Sequence, residues 1–247
     1  TQGVSSAASD VYKRQMKICA TTLGETAGDL LSMTLNIGYA LSSLLLISLF
    51  ILSLLGQLST RRYKPALYWT VILMTSTAGT TISDFMDRTL GLGYASGSLI
   101  LISLLASVLL VWRLTEKSLS VEHIVSRRAE LFYWGAILVS NTLGTALGDY
   151  LADDSGLGFA GGALLIGSLL AMVAAAYYRT HLSRVALFWV AFVLTRPFGA
   201  TLGDVLTKST DKGGLDLGTV GSSAVLLTTL AVLVCFCLLY TSPSPRD

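Results

Sequence analysis

ATTLGETAGD (20–29), TSTAGTTISD (75–84), SNTLGTALGD (140–149) and TRPFGATLGD (195–204) are four versions of one ten-residue segment. Each ends in G-x-x-x-[GS]-D, and the closing aspartates, Asp29, Asp84, Asp149 and Asp204, stand 55, 65 and 55 residues apart. Recurrence at a near-constant period is the signature of an internal repeat. The longer middle interval divides the chain into two similar halves.

The flanking columns keep the same register. Ten residues before the motif glycine stand Trp69, Trp134 and Trp189, each preceded by an aromatic residue, and these read as anchors at a membrane interface. In the first copy that position is Arg14. Nine residues after the aspartate come Gly38-Tyr39, Gly93-Tyr94 and Gly158-Phe159, a tight turn into a second helix, while the fourth copy takes a longer route through Gly213, Gly214 and Gly218.

Apolar, uncharged runs follow each motif, at Gly38 to Gly56, Tyr94 to Trp112, Phe159 to Tyr178 and Thr219 to Tyr240. A spanning helix needs about 20 such residues. With 53% hydrophobic residues, 13% charged residues and a mean hydropathy of +0.67, the composition is that of a membrane protein rather than a soluble domain.

The fold expected is therefore all-α and polytopic: eight transmembrane helices as four parallel two-helix repeats, related by pseudo-symmetry about the membrane normal. The repeats span 17–56, 66–113, 130–178 and 186–238. Residues 1–15 and 239–247 resemble translated adaptor sequence and are read as a non-native leader and tail. Arg61, Arg62, Lys64, Arg113, Lys117, Arg127, Arg128, Arg179 and Arg184 fall in the connections between repeats, which the positive-inside rule assigns to the cytoplasm together with both termini. The turns within repeats, with Asp87, Asp153, Asp154, Asp211 and Asp216, then face outward, and the chain is a multi-pass protein of a bacterial inner membrane.

Residues four apart share a helix face. Three columns therefore form a polar stripe: Thr21, Glu25 and Asp29; Ser76, Thr80 and Asp84; Asn141, Thr145 and Asp149; Arg196, Ala200 and Asp204. Beside it run the small residues Gly24/Gly28, Gly79/Ser83, Gly144/Gly148 and Gly199/Gly203, a pattern that lets membrane helices approach closely. Intramembrane charges usually face a bundle interior and mark a pathway. Glu25, Asp29, Asp84, Asp149 and Asp204 are the candidate cation-binding residues, supported by Thr21, Ser76, Thr80, Asn141, Thr145 and Arg196.

Asp87 and Arg88 read as solvated loop charges, as do Asp153 and Asp154. Cys19, Cys235 and Cys237 read as packing or lipid-facing residues, with neither disulfide nor zinc spacing. Both histidines, His123 and His181, fall in loops, so the intramembrane donors are oxygens, which suit protons and hard cations. An organic cation held by carboxylates with Tyr39, Tyr94 and Phe159 is the other possibility. No nucleic-acid partner, cofactor or catalytic constellation is expected.

KICATTLGETAGD (17–29), SDFMDRTLGLGY (83–94), SNTLGTALGDYLADDSGLGFAGG (140–162) and TRPFGATLGD (195–204) resemble a family of uncharacterised bacterial membrane-anchored proteins defined by a short repeat of unknown function. The resemblance covers residues 17–238 and implies the four-repeat plan but no activity. The function expected from the chemistry is a secondary transporter, an exporter of a metal ion or small organic cation with proton coupling. The alternative is a non-transporting sensor or scaffold, with a membrane-embedded enzyme third. Transport predicts a water-accessible cavity where at least three motif carboxylates converge; a scaffold predicts each carboxylate paired locally in a closed core.

Overall fold

The computed structural model describes residues 2–60, 64–116, 126–180, 182–210 and 214–241, with side chains from Met16 to Cys235. Arg61, Arg62, Lys117, His123, His181, Asp211, Gly213 and the side chain of Cys237 lie outside the described residues. The chain is all helical there, with eight long helices: α1 (Gln2–Asp29), α2 (Tyr39–Ser59), α3 (Pro65–Asp84), α4 (Tyr94–Glu116), α5 (Arg127–Asp149), α6 (Gly158–Arg179), α7 (Arg184–Thr207) and α8 (Gly218–Thr241).

Local chemistry sets the helix ends. Pro65 opens α3 at a position whose N–H needs no partner, and the Ser126 hydroxyl caps α5 by accepting from the Ala129 N–H at 2.9 Å. After Asp29, Asp84 and Asp149 the helix widens into a single π turn (Leu30–Thr34, Phe85–Thr89, Tyr150–Asp154). Each loop then passes through two left-handed residues, Asn36 and Gly38, Gly91 and Gly93, Gly156 and Gly158, or Asp216 and Gly218. The fourth turn, though longer, ends on the same left-handed pair.

The motif helices α1, α3, α5 and α7 form the centre, each packed on two others in the cyclic order α1–α3–α5–α7–α1. The peripheral helices do not pack chiefly on their own repeat. Helix α2 lies on α3, α4 on α5, α6 on α7, and α8 returns to α1, so each repeat is clasped by its neighbour. Cys19 takes part in that last contact, its thiol donating to the Leu226 carbonyl at 3.3 Å, while Cys235 is exposed.

Polarity is inverted relative to a soluble protein. Leu44, Leu52, Leu99, Leu114, Leu164 and Val225 are exposed on the peripheral helices, whereas threonines, serines and carboxylates fill the centre. Many of those hydroxyls, such as Thr77 on Leu73 O and Thr142 on Leu138 O, donate back to the carbonyl four residues earlier, which satisfies them without an outside partner. Five helices, α2, α4, α6, α7 and the Gly218–Cys235 part of α8, are long and apolar enough to cross a membrane. Helices α3 and α5 are less apolar because Thr, Ser, Asn and the motif aspartate occupy their central stripe.

The tryptophans depart from expectation. Trp69, Trp134 and Trp189 are buried rather than interfacial, with Trp189 edge-on to the buried Trp112 of α4 at 5.7 Å. Each tryptophan turns into the bundle, while residues such as Leu131, Phe188 and Val190 take the exposed face of the same central helices.

Candidate functional site

The motif glycines set the spacing of the central helices. A Cβ on Gly24 would collide with Ser76, one on Gly79 would lie 2.8 Å from Asn141 Cβ, one on Gly144 would strike Arg196, and one on Gly199 would lie 2.5 Å from Thr21 Oγ1. Each motif glycine thus meets the residue three before the motif glycine of the next copy. One turn on, Gly28 meets Thr80, Gly148 meets Ala200 and Gly203 meets Glu25 in the same sense. Neighbouring central helices therefore run parallel and in register, and the polar stripes stack in layers separated by about 6 Å, four residues at about 1.5 Å each.

In the first layer Arg196, 1% exposed, ties the central helices together. Its Nε donates to Asn141 O at 3.2 Å, Nη1 to Thr21 O and Ser76 Oγ at 2.7 Å, and Nη2 to Ser76 O and Thr80 Oγ1 at 2.7 Å. α7 carries this residue through Pro197 as one continuous helix. In the second layer Glu25 Oε2 accepts from Thr80 Oγ1 at 3.1 Å and Thr145 Oγ1 at 3.0 Å, and lies 3.8 Å from Arg196 Nη2.

The third layer holds the four aspartates, each 2 to 5% exposed. They form two bridged pairs. Arg88 places Nε 3.1 Å from Asp84 Oδ1 and Nη2 3.4 Å from Asp149 Oδ2; Lys208 places Nζ 3.4 Å from Asp29 Oδ2 and 3.3 Å from Asp204 Oδ1. Asp84 Oδ2 is buried without a hydrogen-bond partner.

All five acids of the sequence reading thus come to the centre, with Glu25 a layer apart from the aspartates. Arg88, read as a solvated loop charge, instead bridges two carboxylates, and so does Lys208, which had no place in that reading. Asp87, read as solvated, is buried with Oδ2 3.5 Å from the Ser83 hydroxyl, whereas Asp153 and Asp154 are exposed as expected. The missed signal was spacing: Asp84 and Arg88, like Asp204 and Lys208, are four residues apart, the separation at which helical side chains pair. The open cavity expected at this layer is replaced by a closed arrangement, because two tethered cations occupy the space between the carboxylates. A groove of about 400 Å³ lies elsewhere, between α6 and α7 along Ala163, Gly167 and Phe198. Among the described residues, no group of three or more His, Cys, Asp or Glu side chains is gathered as metal ligands.

An inverted helical bundle with a layered ionic centre defines a helical membrane protein of internal-repeat type. The chain belongs to the family defined by the Repeat of Unknown Function (DUF347), whose pattern matches four times, at residues 15–63, 67–118, 132–183 and 187–242. No curated protein and no solved structure matches it.

Proposed function

We propose that the chain is a secondary membrane transporter for a small cation, with protons as the coupling ion and export as its direction. Its eight helices all span the bilayer of a bacterial inner membrane, as four parallel repeats with pseudo-symmetry about the membrane normal and both termini in the cytoplasm. The observation that carries the proposal is charge balance at the centre. Arg88 serves two carboxylates and so does Lys208, which leaves each pair one negative charge in excess, while Glu25 is balanced by Arg196.

A single charge at the bilayer centre costs about 2.5–3.5 kcal/mol on insertion scales, so two uncompensated carboxylates are retained only where a mobile cation or proton meets them. Arg88 and Lys208 lie on the side of the aspartates that leads to the intra-repeat turns, with side chains 29% and 26% exposed. They act as tethered competitors that hold the site shut when no cation is bound. Oxygen donors divided into pairs suit a proton, a hydrated ion or an organic cation better than a dehydrated metal ion.

A second reading, a non-transporting scaffold or sensor, draws support from the closed core in which every motif aspartate has a basic partner. Flux in proteoliposomes separates the two. The intact protein moves protons or a cation from a panel of alkali, divalent and organic ions, and Asp84→Asn and Asp149→Asn each lower that flux about tenfold, the effect of roughly 1.4 kcal/mol at the rate-limiting state. Equal flux in all three proteins removes the carboxylate mechanism.

A further inference from the structure

The surroundings of Arg88 are more selective than a pair of carboxylates. All three of its nitrogens are used in different directions: Nε toward Asp84 Oδ1, Nη2 toward Asp149 Oδ2, and Nη1 donating to the Tyr39 hydroxyl at 3.1 Å. Those acceptors come from α3, α5 and α2. The Tyr39 and Tyr94 rings flank the guanidinium, with centroids 5.8 and 6.0 Å from Cζ, within the range where a cation is attracted to an aromatic face. Lys208, by contrast, meets its two aspartates in a point-like ammonium arrangement.

We propose that the Asp84–Asp149–Tyr39–Tyr94 cage is a binding site for a small guanidinium-type cation, and that Arg88 is its tethered stand-in. A guanidinium is planar with donors fixed at three corners, and the acceptors here are arranged at three corners; an ammonium or a spherical ion has no use for that geometry. Arginine does not exhaust the cage. Asp84 Oδ2 is buried and unpartnered, and a free guanidinium, with unsubstituted nitrogens at every corner, supplies the extra N–H that makes a two-point contact with that carboxylate. The open flank of Arg88 gives the side chain room to leave and a ligand room to enter.

The inference deepens the transport reading and rests on it for its biological purpose, but its test reads binding alone. Full-length Arg88→Ala is purified in detergent and its thermal unfolding followed by circular dichroism with millimolar guanidinium chloride, tetramethylammonium chloride or sodium chloride. Guanidinium raises the Tm of Arg88→Ala by several degrees, opposite in sign to its denaturing effect. It does not do so for the intact protein or for Arg88→Ala combined with Asp84→Asn and Asp149→Asn, while the other two salts do nothing. No shift, or the same shift with all three salts, overturns the proposal. If Arg88→Ala folds only in guanidinium buffer, that dependence is itself the predicted rescue. If it is not recovered, the longer apolar stem of Arg88→Met replaces it, and failure of both variants even with guanidinium present counts against a refillable cage. Guanidinium stabilisation without flux of any cation retires the transport reading and keeps this site; flux of an inorganic cation without guanidinium stabilisation does the reverse.

Discussion

Arg196 Nη2 stands 3.8 Å from Glu25 Oε2, joining the last central helix to the first. These are the two long charged side chains in columns otherwise filled by Thr, Ser, Asn and Ala, and they face each other across the α7–α1 contact that closes the ring. Glu25 is therefore matched to Arg196, and the stripe departs from its pattern in both copies at once.

Removing one member of that pair strands the other in a buried site. Arg196→Leu also removes the guanidinium hydrogen bonds from the carbonyls of Thr21, Ser76 and Asn141, and is expected to cost about 3–5 kcal/mol. Combining Arg196→Met with Glu25→Gln recovers part of the loss. Thermal unfolding of the three proteins in detergent measures both effects.

Close helix approach makes a second prediction. Gly79→Ala drives a methyl against Asn141 Cβ and the Thr142 backbone, so α3 and α5 must separate, at about 1–3 kcal/mol. Gly135→Ala, where a Cβ meets nothing within 4 Å, is neutral or stabilising by up to about 1 kcal/mol. A detergent-unfolding comparison in which both substitutions behave alike contradicts the packing assigned to the motif glycine.

Bridged pairs predict second-site rescue. Lys208→Met leaves Asp29 and Asp204 facing each other without a cation and destabilises the protein, and adding Asp204→Asn restores much of the loss. Denaturation midpoints of the single and double variants check this; a double variant no better than the single breaks the assignment.

Topology is tested by labelling. In a background with Cys19, Cys235 and Cys237 replaced by Ser, Arg128→Cys reacts with an impermeant maleimide only from the cytoplasmic side of vesicles, and Asp153→Cys only from the other. Both positions are exposed, so lack of reaction on either side reports sidedness rather than burial.

The acid layer was legible in the sequence because Asp29, Asp84, Asp149 and Asp204 recur at one register, and a helix turns equal register into equal depth. Which helix each apolar run would cover was not legible. The leucine faces of α2, α4, α6 and α8 fit any neighbour, and only the assembled ring shows each lying on the next repeat. The bridging role of Arg88 and Lys208 was not legible because the other two copies carry Met33 and Asp153 at the same register. A feature present in half of the repeats breaks the very pattern used to find the site.

The most direct measurement is the charge displaced when a cation enters the aspartate layer. Proteoliposomes adsorbed on a solid-supported membrane, challenged with a jump in the transported cation, are predicted to give a transient current for the intact protein. Asp84→Asn combined with Asp204→Asn, which removes the excess negative charge from each bridged pair, is predicted to abolish it. A current of undiminished size in that double variant contradicts the account.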